Sequence, residues 1–369
     1  MPPSVVFLWE NFGPVHADAC EAVAAALPNH SIVGIELSRR SSTYDWIGPS
    51  PRNFLKVSLY DNKVISSIDL LPVFRILRAC LRTKARVFFF CHYEKLSIFV
   101  TASILRLFGR RIIVMNDSKY NDYERQIWRE IIKYIYYLPY SGAIVAGNSS
   151  ASYLQFLGAD ENSIECGYDT ISVKRVREAV LNQPGAMQFQ QRHFVVVARL
   201  IKKKNIFTAI SAFAIYSNIE GSPQRRMVIC GSGPLEHELK KWASECGVGE
   251  SIDFVGFLQS PEICSIIASS IALILPSTEE QFGIVIAEAV ALGIPVIVSE
   301  NCGARETLVR TGVNGFIVEP LNAQGFADFM YLLSTDEQLW CYMSNNSAAF
   351  AGRADVSNFA KSVQRLLTR

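Results

Sequence analysis

The sequence lacks the features that mark several common protein classes. Lys and Arg exceed Asp and Glu by only two, so the overall charge does not indicate a nucleic-acid partner. The nine cysteines are odd in number and form no C-x-x-C pair, which argues against a disulfide framework or a zinc site and fits a reducing cytosol. The longest largely apolar stretch, residues 265–275, contains serines and is shorter than the ~20 residues of a transmembrane helix. The N-terminus, MPPSVVFLWENFG, does not read as a signal peptide, so we expect a cytoplasmic protein.

Short apolar runs of strand length are present instead, and they alternate with helical patterns. Ser4–Trp9, Val87–Phe90 and Ala143–Val145 are runs of this kind in the first half. A similar alternation restarts at Phe194–Val197. Strands that alternate with helices are typical of a parallel sheet covered on both faces, so we predict an α/β protein.

The chain length indicates about two such domains. At ~150 residues per domain, 369 residues correspond to roughly two. The pattern breaks at 181–192, where Pro184 and Gly185 lie among glutamines, and we interpret this segment as a linker. We predict two doubly wound Rossmann-like domains, 1–182 and 183–353, with a ligand in the cleft between them.

The strongest local signal is PSTEEQFGIVIAEAVALGIPVIVS, at residues 276–299. An apolar strand ends at Pro276 and a helix begins near Gly283, so Glu280 lies in the turn and Glu288 in the helix. The free N–H groups at Gly283 and Ile284 favour an anion such as a phosphate. Two carboxylates beside a phosphate pocket suit hydrogen bonds to sugar or ribose hydroxyls.

Two further strand ends carry residues that suit binding of a phosphate-containing ligand. Arg199 and Lys204 follow the strand of VVVARLIKKKN, where a guanidinium and an ammonium could neutralise a diphosphate leaving group. In VICGSGPLEHEL, Gly231 and Gly233 let the backbone approach a ligand closely. The G-x-G-x-x-G dinucleotide fingerprint is not met, because its last position holds Glu236.

These motifs, in this order, resemble the retaining glycosyltransferases of family 4, which have the GT-B fold. The resemblance covers 194–323. It rests on Arg199-Leu200 with Lys204, Gly231-Ser232-Gly233-Pro234, Glu280-Gln281-Phe282-Gly283 with Glu288-Ala289, Gly293-Ile294-Pro295-Val296-Ile297, Gly303-Ala304-Arg305-Glu306 and Asn314-Gly315-Phe316.

The resemblance implies a role for each matched residue. Arg199 and Lys204 would hold the donor diphosphate, Glu280 would contact the donor sugar, and Glu288 would bind the ribose hydroxyls. Backbone amides at Phe282, Gly283 and Ile284 would touch sugar or phosphate, and Gly231 would lie beside the donor. Such enzymes use a nucleotide-sugar as substrate and need neither cofactor nor metal, because the basic pair and the helix N-terminus replace the metal. The leaving phosphate helps to deprotonate the acceptor hydroxyl.

The first half matches the family more loosely. Gly13 and His16 fit the Gly-rich turn and the His that open the family. In similar enzymes the turn lies near the donor phosphates, so Gly13 would bind the donor. His16 is a candidate on the acceptor side, and an ordinary residue at a helix start is the alternative. The family His after a middle strand is missing, because residues 114–118 read Val-Met-Asn-Asp-Ser. Asn116 or Asp117 could take a polar role there, and His92 could line the cleft or serve only as a partly buried core residue. In similar proteins a C-terminal helix, here 354–369, packs back on the first domain.

The charge is uneven on a finer scale. Residues 73–111 hold nine Lys and Arg against one Glu, a net charge of +8, and leucines are interleaved with them. A basic and partly apolar face can attach to anionic lipid, with ~1 kcal/mol from each basic residue. We therefore expect that 73–111 makes peripheral contact with the inner face of a membrane, although a solvated helix face is the alternative.

The expected function is transfer of a sugar from a nucleotide-sugar donor to a saccharide or lipid-linked acceptor hydroxyl, in polysaccharide or glycolipid biosynthesis. A nucleotide-sugar epimerase of the same fold is one alternative. A non-catalytic nucleotide-sugar-binding partner subunit is another. The sequence identifies neither the base and sugar of the donor nor the acceptor.

Overall fold

A computed structural model describes residues 3–39, 50–181 and 187–369. The chain divides into two compact units, one of Met1–Ser172 with Val356–Arg369 and one of Val173–Asp355. Residues 182–186 of the segment interpreted as a linker lie outside the described residues.

The strands of the described residues fall into two parallel sheets. In chain order they are β1 Ser4–Trp9, β2 Ser31–Ser38, β3 Leu55–Tyr60, β4 Val87–Phe90, β5 Arg111–Asn116, β6 Ala143–Val145, β7 Ile164–Cys166, β8 His193–Val197, β9 Met227–Cys230, β10 Ile252–Gly256, β11 Ser270–Leu275, β12 Val296–Ser299 and β13 Gly315–Val318.

The α-helices connect and cover these strands. In chain order they are α1 Pro14–Ala26, α2 Pro72–Arg82, α3 Leu96–Leu107, α4 Ile127–Tyr137, α5 Asn148–Phe156, α6 Val173–Glu178, α7 Ile206–Ser217, α8 Glu236–Glu245, α9 Ser260–Ala268, α10 Ile284–Ala291, α11 Arg305–Leu308, α12 Ala323–Thr335, α13 Glu337–Ala354 and α14 Ser357–Thr368.

The first unit has the sheet order β3-β2-β1-β4-β5-β6-β7, and all neighbouring pairs are parallel. Successive side chains of a strand point to opposite faces, and both faces of this sheet are apolar. Helices α1 and α14 cover the face that includes Phe7 and Phe89. Helices α2 and α3 cover the opposite face through Ile76 and Ile98, and α4 and α5 continue this layer beside Val114.

Helix α14 belongs to this first unit. It packs against α1, where the Gln364 side chain donates to the Ala26 carbonyl at 2.9 Å. The Arg111 guanidinium donates to the Leu366 carbonyl at 3.0 Å near the end of the same helix. Burial of Phe359 and Val363 from α14 completes one side of the core.

The second unit has the sheet order β10-β9-β8-β11-β12-β13, again with all neighbouring pairs parallel. This order places the first strand of the unit, β8, in the middle, so the chain proceeds to one side and returns to the other. The core lies between the sheet and helices such as α7 and α12, with Phe213 and Phe326 fully buried. The two parallel sheets confirm the predicted pair of doubly wound α/β domains.

The two units part between Ser172 and Val173, whereas the sequence analysis placed the boundary between residues 182 and 183. The difference is explained by α6, which packs against α10. The Arg177 side chain donates to the Ala291 carbonyl at 2.9 Å, and that of Arg175 donates to the Ser260 hydroxyl at 2.9 Å.

In the described part of the chain, no helix has the length and apolarity required to span a bilayer.

Candidate functional site

The predicted donor residues of the second unit lie at the point where the strand order reverses. Strand β8 has β9 on one side and β11 on the other, so the loops that follow β8 and β11 leave the sheet side by side. In open parallel sheets, ligands bind at this reversal, beyond the carboxyl ends of the strands. Arg199 and Lys204 follow β8, and Glu280 and Gly283 follow β11.

The Lys204 ammonium and the Glu280 carboxylate form an ion pair across these two loops. Glu280 Oε2 also accepts a hydrogen bond from the Ser277 hydroxyl at 3.1 Å. Only 16% of the Lys204 side chain and 12% of the Glu280 side chain are exposed, so water screens the pair little. The structure therefore brings together two residues that are distant in sequence and were predicted for one site.

A second ion pair lies immediately outside the first. Lys203 Nζ is 2.7 Å from Glu279 Oε1, and these side chains are 39% and 33% exposed. The Thr278 N–H donates to the Lys203 carbonyl at 2.9 Å, which joins the backbones of the two loops. The loop also carries Arg199, which is half-buried and whose carbonyl accepts from the Ile201 N–H at 2.9 Å. The two loops thus form one connected edge.

Asn205 fixes this edge, and the sequence analysis missed it. Its backbone is left-handed, with φ of 53°, at the residue before α7. Its side-chain amide donates to the Pro276 carbonyl at 3.0 Å and to the Pro320 carbonyl at 2.7 Å, while its oxygen accepts from the Thr208 hydroxyl at 3.0 Å. One side chain therefore ties together the loops that follow β8, β11 and β13. Asn tolerates left-handed backbone, which was the available sequence signal.

Replacement of Asn205 by Gly tests this role. Glycine keeps the left-handed backbone but removes the three side-chain hydrogen bonds, so we expect a loss of about 2 kcal/mol in the free energy of unfolding. Urea denaturation of the full chain measures it. Asn218→Gly is the control, because the Asn218 amide bonds only to the Ala214 carbonyl of its own helix among the contacts described. An Asn205→Gly effect no larger than that of the control would refute the bracing role.

Gly231 has a structural reason for being glycine. It follows β9 with φ of 139°, and a Cβ atom built there would lie 1.9 Å from the Ala198 carbonyl oxygen. The Ala198 N–H donates to the Cys230 carbonyl at 3.0 Å, so the backbones of the two strand ends pack directly on each other. The close approach predicted for a ligand is thus made by the chain itself, and a contact between Gly231 and the donor stays a prediction.

The loop after β11 turns into α10 at Gly283. Gly283 has φ of 96°, a conformation that favours glycine, and it precedes the first helical residue, Ile284. Phe282 is buried, and its carbonyl accepts from the Ala304 N–H at 2.9 Å, which fixes the turn. The helix begins beside Glu280, so the positive end of its dipole reaches the same edge.

Glu288 is half-buried on α10, one turn beyond the helix start. Burial first, and then the negative charge of Glu288, raise the pKa of the Cys264 thiol on α9 to about 12. The sequence placed Glu288 on this helix, and the structure agrees with that placement. Its expected contact with ribose stays a prediction.

In the first unit, β1 and β4 are the neighbours at which the strand order reverses. Gly13 precedes α1 with an extended backbone at φ of −93°, and its N–H donates to Nδ1 of His16 at 2.9 Å. The His16 ring packs against the Trp9 ring, with centroids 4.9 Å apart and the ring planes tilted by 33°. Burial first, and then His92, lower the pKa of His16 to about 3. His16 is therefore neutral at pH 7, with Nδ1 acting as an acceptor.

His92 follows β4 at the same reversal point. Its φ of 58° is unusual for a residue other than glycine, and its Nδ1 is 3.5 Å from the Glu94 carboxylate. Burial alone would lower the pKa of His92, but Cys91 and Glu94 together outweigh burial and raise it. The neighbouring Cys91 thiol lies 3.1 Å from the Tyr168 hydroxyl, to which the Trp9 indole also donates at 3.1 Å.

Asn116 ends the next strand, β5, and Asp117 follows it. The two side chains differ in how far their polar groups are already bonded within the protein. Asn116 is 4% exposed, and its amide donates to the Tyr137 hydroxyl at 3.0 Å while its oxygen accepts from the Ser118 N–H at 3.2 Å. Both of its polar ends are thus held within the protein. Asp117 is half-buried, and burial raises its pKa to about 6, with Asp122 adding to the rise.

The described residues contain no cluster of three or more His, Cys, Asp or Glu side chains that could hold a metal ion. This observation concerns only those protein groups. The expectation that the reaction needs neither metal nor cofactor stays a prediction.

Residues 183–350 match the profile of the family described as Glycosyl transferases group 1. This segment, which includes the paired loops and α10, is therefore similar to that family. The family is the one that the motifs indicated, and the match itself does not specify family 4.

Two curated relatives have similar sequences over part of their length. An uncharacterized glycosyltransferase (MJ1607) of Methanocaldococcus jannaschii is 30% identical over 161 residues, which are 44% of this chain and 40% of that protein. The GDP-mannose-dependent alpha-(1-6)-phosphatidylinositol monomannoside mannosyltransferase of Mycobacterium tuberculosis is 31% identical over 150 residues, 38% of each chain. The chain thus spans well under half the length of these relatives.

One solved structure extends the likeness to the whole chain. It is the Anabaena protein Alr3699/HepE in complex with UDP, with a TM-score of 0.72 and 18% identity, and the match covers 99% of each chain. At this identity the likeness concerns the fold, which is that of the GT-B glycosyltransferases.

Proposed function

We propose that this protein is a glycosyltransferase that moves a sugar from a nucleotide-sugar donor to the hydroxyl of a saccharide or lipid-linked acceptor. The observation that carries the proposal is the edge at the β8/β11 reversal, where Lys204, Glu280 and the start of α10 meet. This edge lies inside the segment that matches the profile of a glycosyltransferase family, which supports the proposal.

The chemistry of the edge fits the donor. The transferred sugar leaves a nucleoside diphosphate, whose negative charge grows as the bond between C1 and the phosphate oxygen breaks. Arg199 and Lys204 supply positive charge to that oxygen, and the N–H groups at Phe282, Gly283 and Ile284 add hydrogen-bond donors. Glu280 accepts from sugar hydroxyls and Glu288 from the ribose hydroxyls.

The proposed reaction retains the configuration at C1. The acceptor oxygen bonds to C1 on the face that the diphosphate leaves, and the acceptor hydroxyl proton passes to the departing phosphate oxygen. No protein base is needed for this proton. Because the basic pair and the helix start supply positive charge, we propose that the reaction proceeds without a metal.

The first unit is the proposed acceptor side. Of its candidates, Asn116 has both polar ends engaged within the protein, which leaves Asp117 and His92 as better placed for contact with a sugar. His16 can donate only through Nε2, since its Nδ1 accepts from Gly13. The backbone N–H of Gly13 is already engaged in this hydrogen bond to His16.

A thermal-shift experiment tests the donor site. UDP, GDP and ADP with their common sugars are added to the full chain in EDTA, and one nucleotide at 100 times its Kd should add ~2.7 kcal/mol of stability. Glu288→Gln should remove most of the shift. Glu245→Gln is the control, because Glu245 is an exposed partner of Lys241 on α8. Absence of a shift with every nucleotide, with and without Mg²⁺, would contradict the proposal.

Peripheral contact of 73–111 with an anionic membrane is also proposed. Arg78, Arg82 and Arg106 of α2 and α3 are exposed, as are Leu81 and Leu107. Lys95, which is among the nine basic residues of 73–111, does not contribute to this face, because it is buried.

The Lys95 side chain donates to the Ile65 carbonyl at 2.8 Å and pairs with Glu10 at 3.3 Å. Leu105 is buried as well. The remaining exposed arginines still give this layer a strongly positive outer side.

A further inference from the structure

Helix α4 has its apolar residues on the outside. Ile127 is 83% exposed, and six more large apolar or aromatic residues in and just after the helix are 45–61% exposed. These seven residues are Ile127, Trp128, Ile131, Ile132, Tyr134, Ile135 and Leu138. Helices of water-exposed layers normally present the opposite pattern, and large exposed apolar patches mark interaction sites.

The inner side of α4 carries the charges. Glu130 is buried, and its carboxylate accepts from the Tyr153 hydroxyl and lies 3.3 Å from both Arg125 Nη1 and Lys133 Nζ. Arg125 and Lys133 each also donate to the Tyr153 hydroxyl at 2.8 Å. This network fixes the rotation of α4 about its axis. The apolar side therefore cannot turn inward without unpairing buried charges, at a high cost.

The outward side of α4 shares its layer with α2 and α3. Ile112 and Val114 are two residues apart on β5 and so point to the same face of the sheet. Ile112 packs with α2 and α3, whereas Val114 packs with α4 and α5. The rings of Phe99 on α3 and Tyr136 on α4 are 4.6 Å apart, which joins the two helices directly. The apolar side of α4 and the exposed arginines of α2 and α3 thus belong to one continuous layer.

We propose that the outward side of α4 inserts into the interface of an anionic lipid bilayer, with the arginines of α2 and α3 contacting the lipid headgroups. Trp and Tyr prefer the membrane interface, and Trp128 and Tyr134 lie among the aliphatic residues of α4. Arg129, the exposed cation of the helix, can extend its head to the phosphates.

Charge selects lipid over a second copy of this chain. Arg78, Arg82 and Arg106 of α2 and α3 are exposed on this layer, and exposed Arg129 adds a positive charge on α4. A symmetric pair of chains joined through this layer would bring two such positive surfaces together, and like charges repel. Anionic headgroups are complementary to the same surface, and basic residues near such a membrane each contribute ~1 kcal/mol.

The inference deepens the proposed function and rests on it in one respect, since a lipid-linked acceptor would explain why the protein docks on a membrane. The surface belongs to the first unit, whereas the β8/β11 edge belongs to the second. Vesicle binding and nucleotide binding can therefore be measured separately on each variant.

The test uses the full chain and vesicles of phosphatidylcholine with and without phosphatidylglycerol, read by co-sedimentation at low and high salt. We expect binding to the anionic vesicles, and a drop in the partition coefficient on the order of tenfold or more for Ile131→Glu with Ile135→Glu. Arg78→Gln with Arg82→Gln should lower binding by about fivefold for each arginine at low salt. Brominated lipid should quench tryptophan fluorescence, and Trp128→Phe should remove that quenching.

Leu321→Glu with Tyr342→Glu is the matched control, because both residues are exposed apolar positions of the second unit. It should leave vesicle binding unchanged, and the α4 variant should keep the nucleotide shift of the parent protein. The inference is overturned if the parent protein binds no anionic vesicles at low salt. It is also overturned if the α4 variant binds them as well as the parent, or if α4 instead holds a dimer that Ile131→Glu with Ile135→Glu dissociates in light scattering. Vesicle binding without any nucleotide shift would refute the proposed function alone.

Discussion

Replacement of Glu280 by Gln is expected to lower kcat/KM for sugar transfer by about 10²- to 10³-fold, a loss typical of a removed group that stabilises charge or contacts the reacting sugar. The glutamine has nearly the same shape but removes the negative charge that pairs with Lys204 and accepts from Ser277. The Lys204 ammonium would lose its partner in a poorly exposed position, so it would shift from the place proposed for it beside the donor diphosphate. Initial rates with the nucleotide-sugar identified by thermal shift measure the effect.

Glu279→Gln is the control for this experiment. Glu279 is the adjacent residue and forms a similar ion pair with Lys203, but both side chains are about a third exposed. Exposed ion pairs contribute little, so we expect less than about a twofold change in kcat/KM. Equal losses for the two variants would indicate that the negative charge of the loop matters rather than a contact of Glu280. Unfolding midpoints of both variants separate loss of structure from loss of chemistry.

The sequence predicted the parts of the fold that depend on continuous apolar runs. Strands β1, β4 and β6 have the bounds expected from Ser4–Trp9, Val87–Phe90 and Ala143–Val145. Such strands are buried on both faces in a parallel sheet, so nearly all their residues are apolar and the signal is clear. The edge strand Leu55–Tyr60 has no such signal, because its residues are half-buried or exposed and include Lys56 and Ser58.

The sequence predicted which residues belong to the candidate site, but it did not predict how their side chains contact one another. The motifs placed Lys204 and Glu280 after their strands, but nothing local showed that the two side chains pair directly with each other. Asn205 was missed because its amide bonds to Pro276 and Pro320, which are 71 and 115 residues away. Contacts of this length depend on the strand order of the sheet, which one sequence does not display.

The outward apolar side of α4 shows the same limit in another form. The spacing of its apolar residues predicts an amphipathic helix but not which side is buried. The side was decided by Glu130, whose partners include Tyr153 on a different helix. Apolar residues at helical spacing normally mark the buried side of a helix. On α4 they mark the exposed side, because the charged network around Glu130 occupies the buried side.

Gly231→Ala is expected to destabilise the second unit by at least about 3 kcal/mol, which is among the large effects of single substitutions. The new Cβ would lie 1.9 Å from the Ala198 carbonyl oxygen and 2.9 Å from its carbonyl carbon, both of them backbone atoms that cannot rotate away. Alanine would also be strained at φ of 139°. Relief of the contact would push apart the ends of β8 and β9, so Arg199 and Lys204 would move and nucleotide binding would weaken as well.

Gly247→Ala separates these two causes. Gly247 has φ of 75°, so alanine is strained there too, but no atom lies within 4 Å of its Cβ position. We expect this control to cost only about 1 kcal/mol and to leave the nucleotide shift intact. Urea denaturation and the thermal shift with nucleotide measure both variants. If Gly231→Ala cost no more than Gly247→Ala, the contact with Ala198 would not be the reason for glycine, and direct approach of the donor to Gly231 would become the better explanation of the motif.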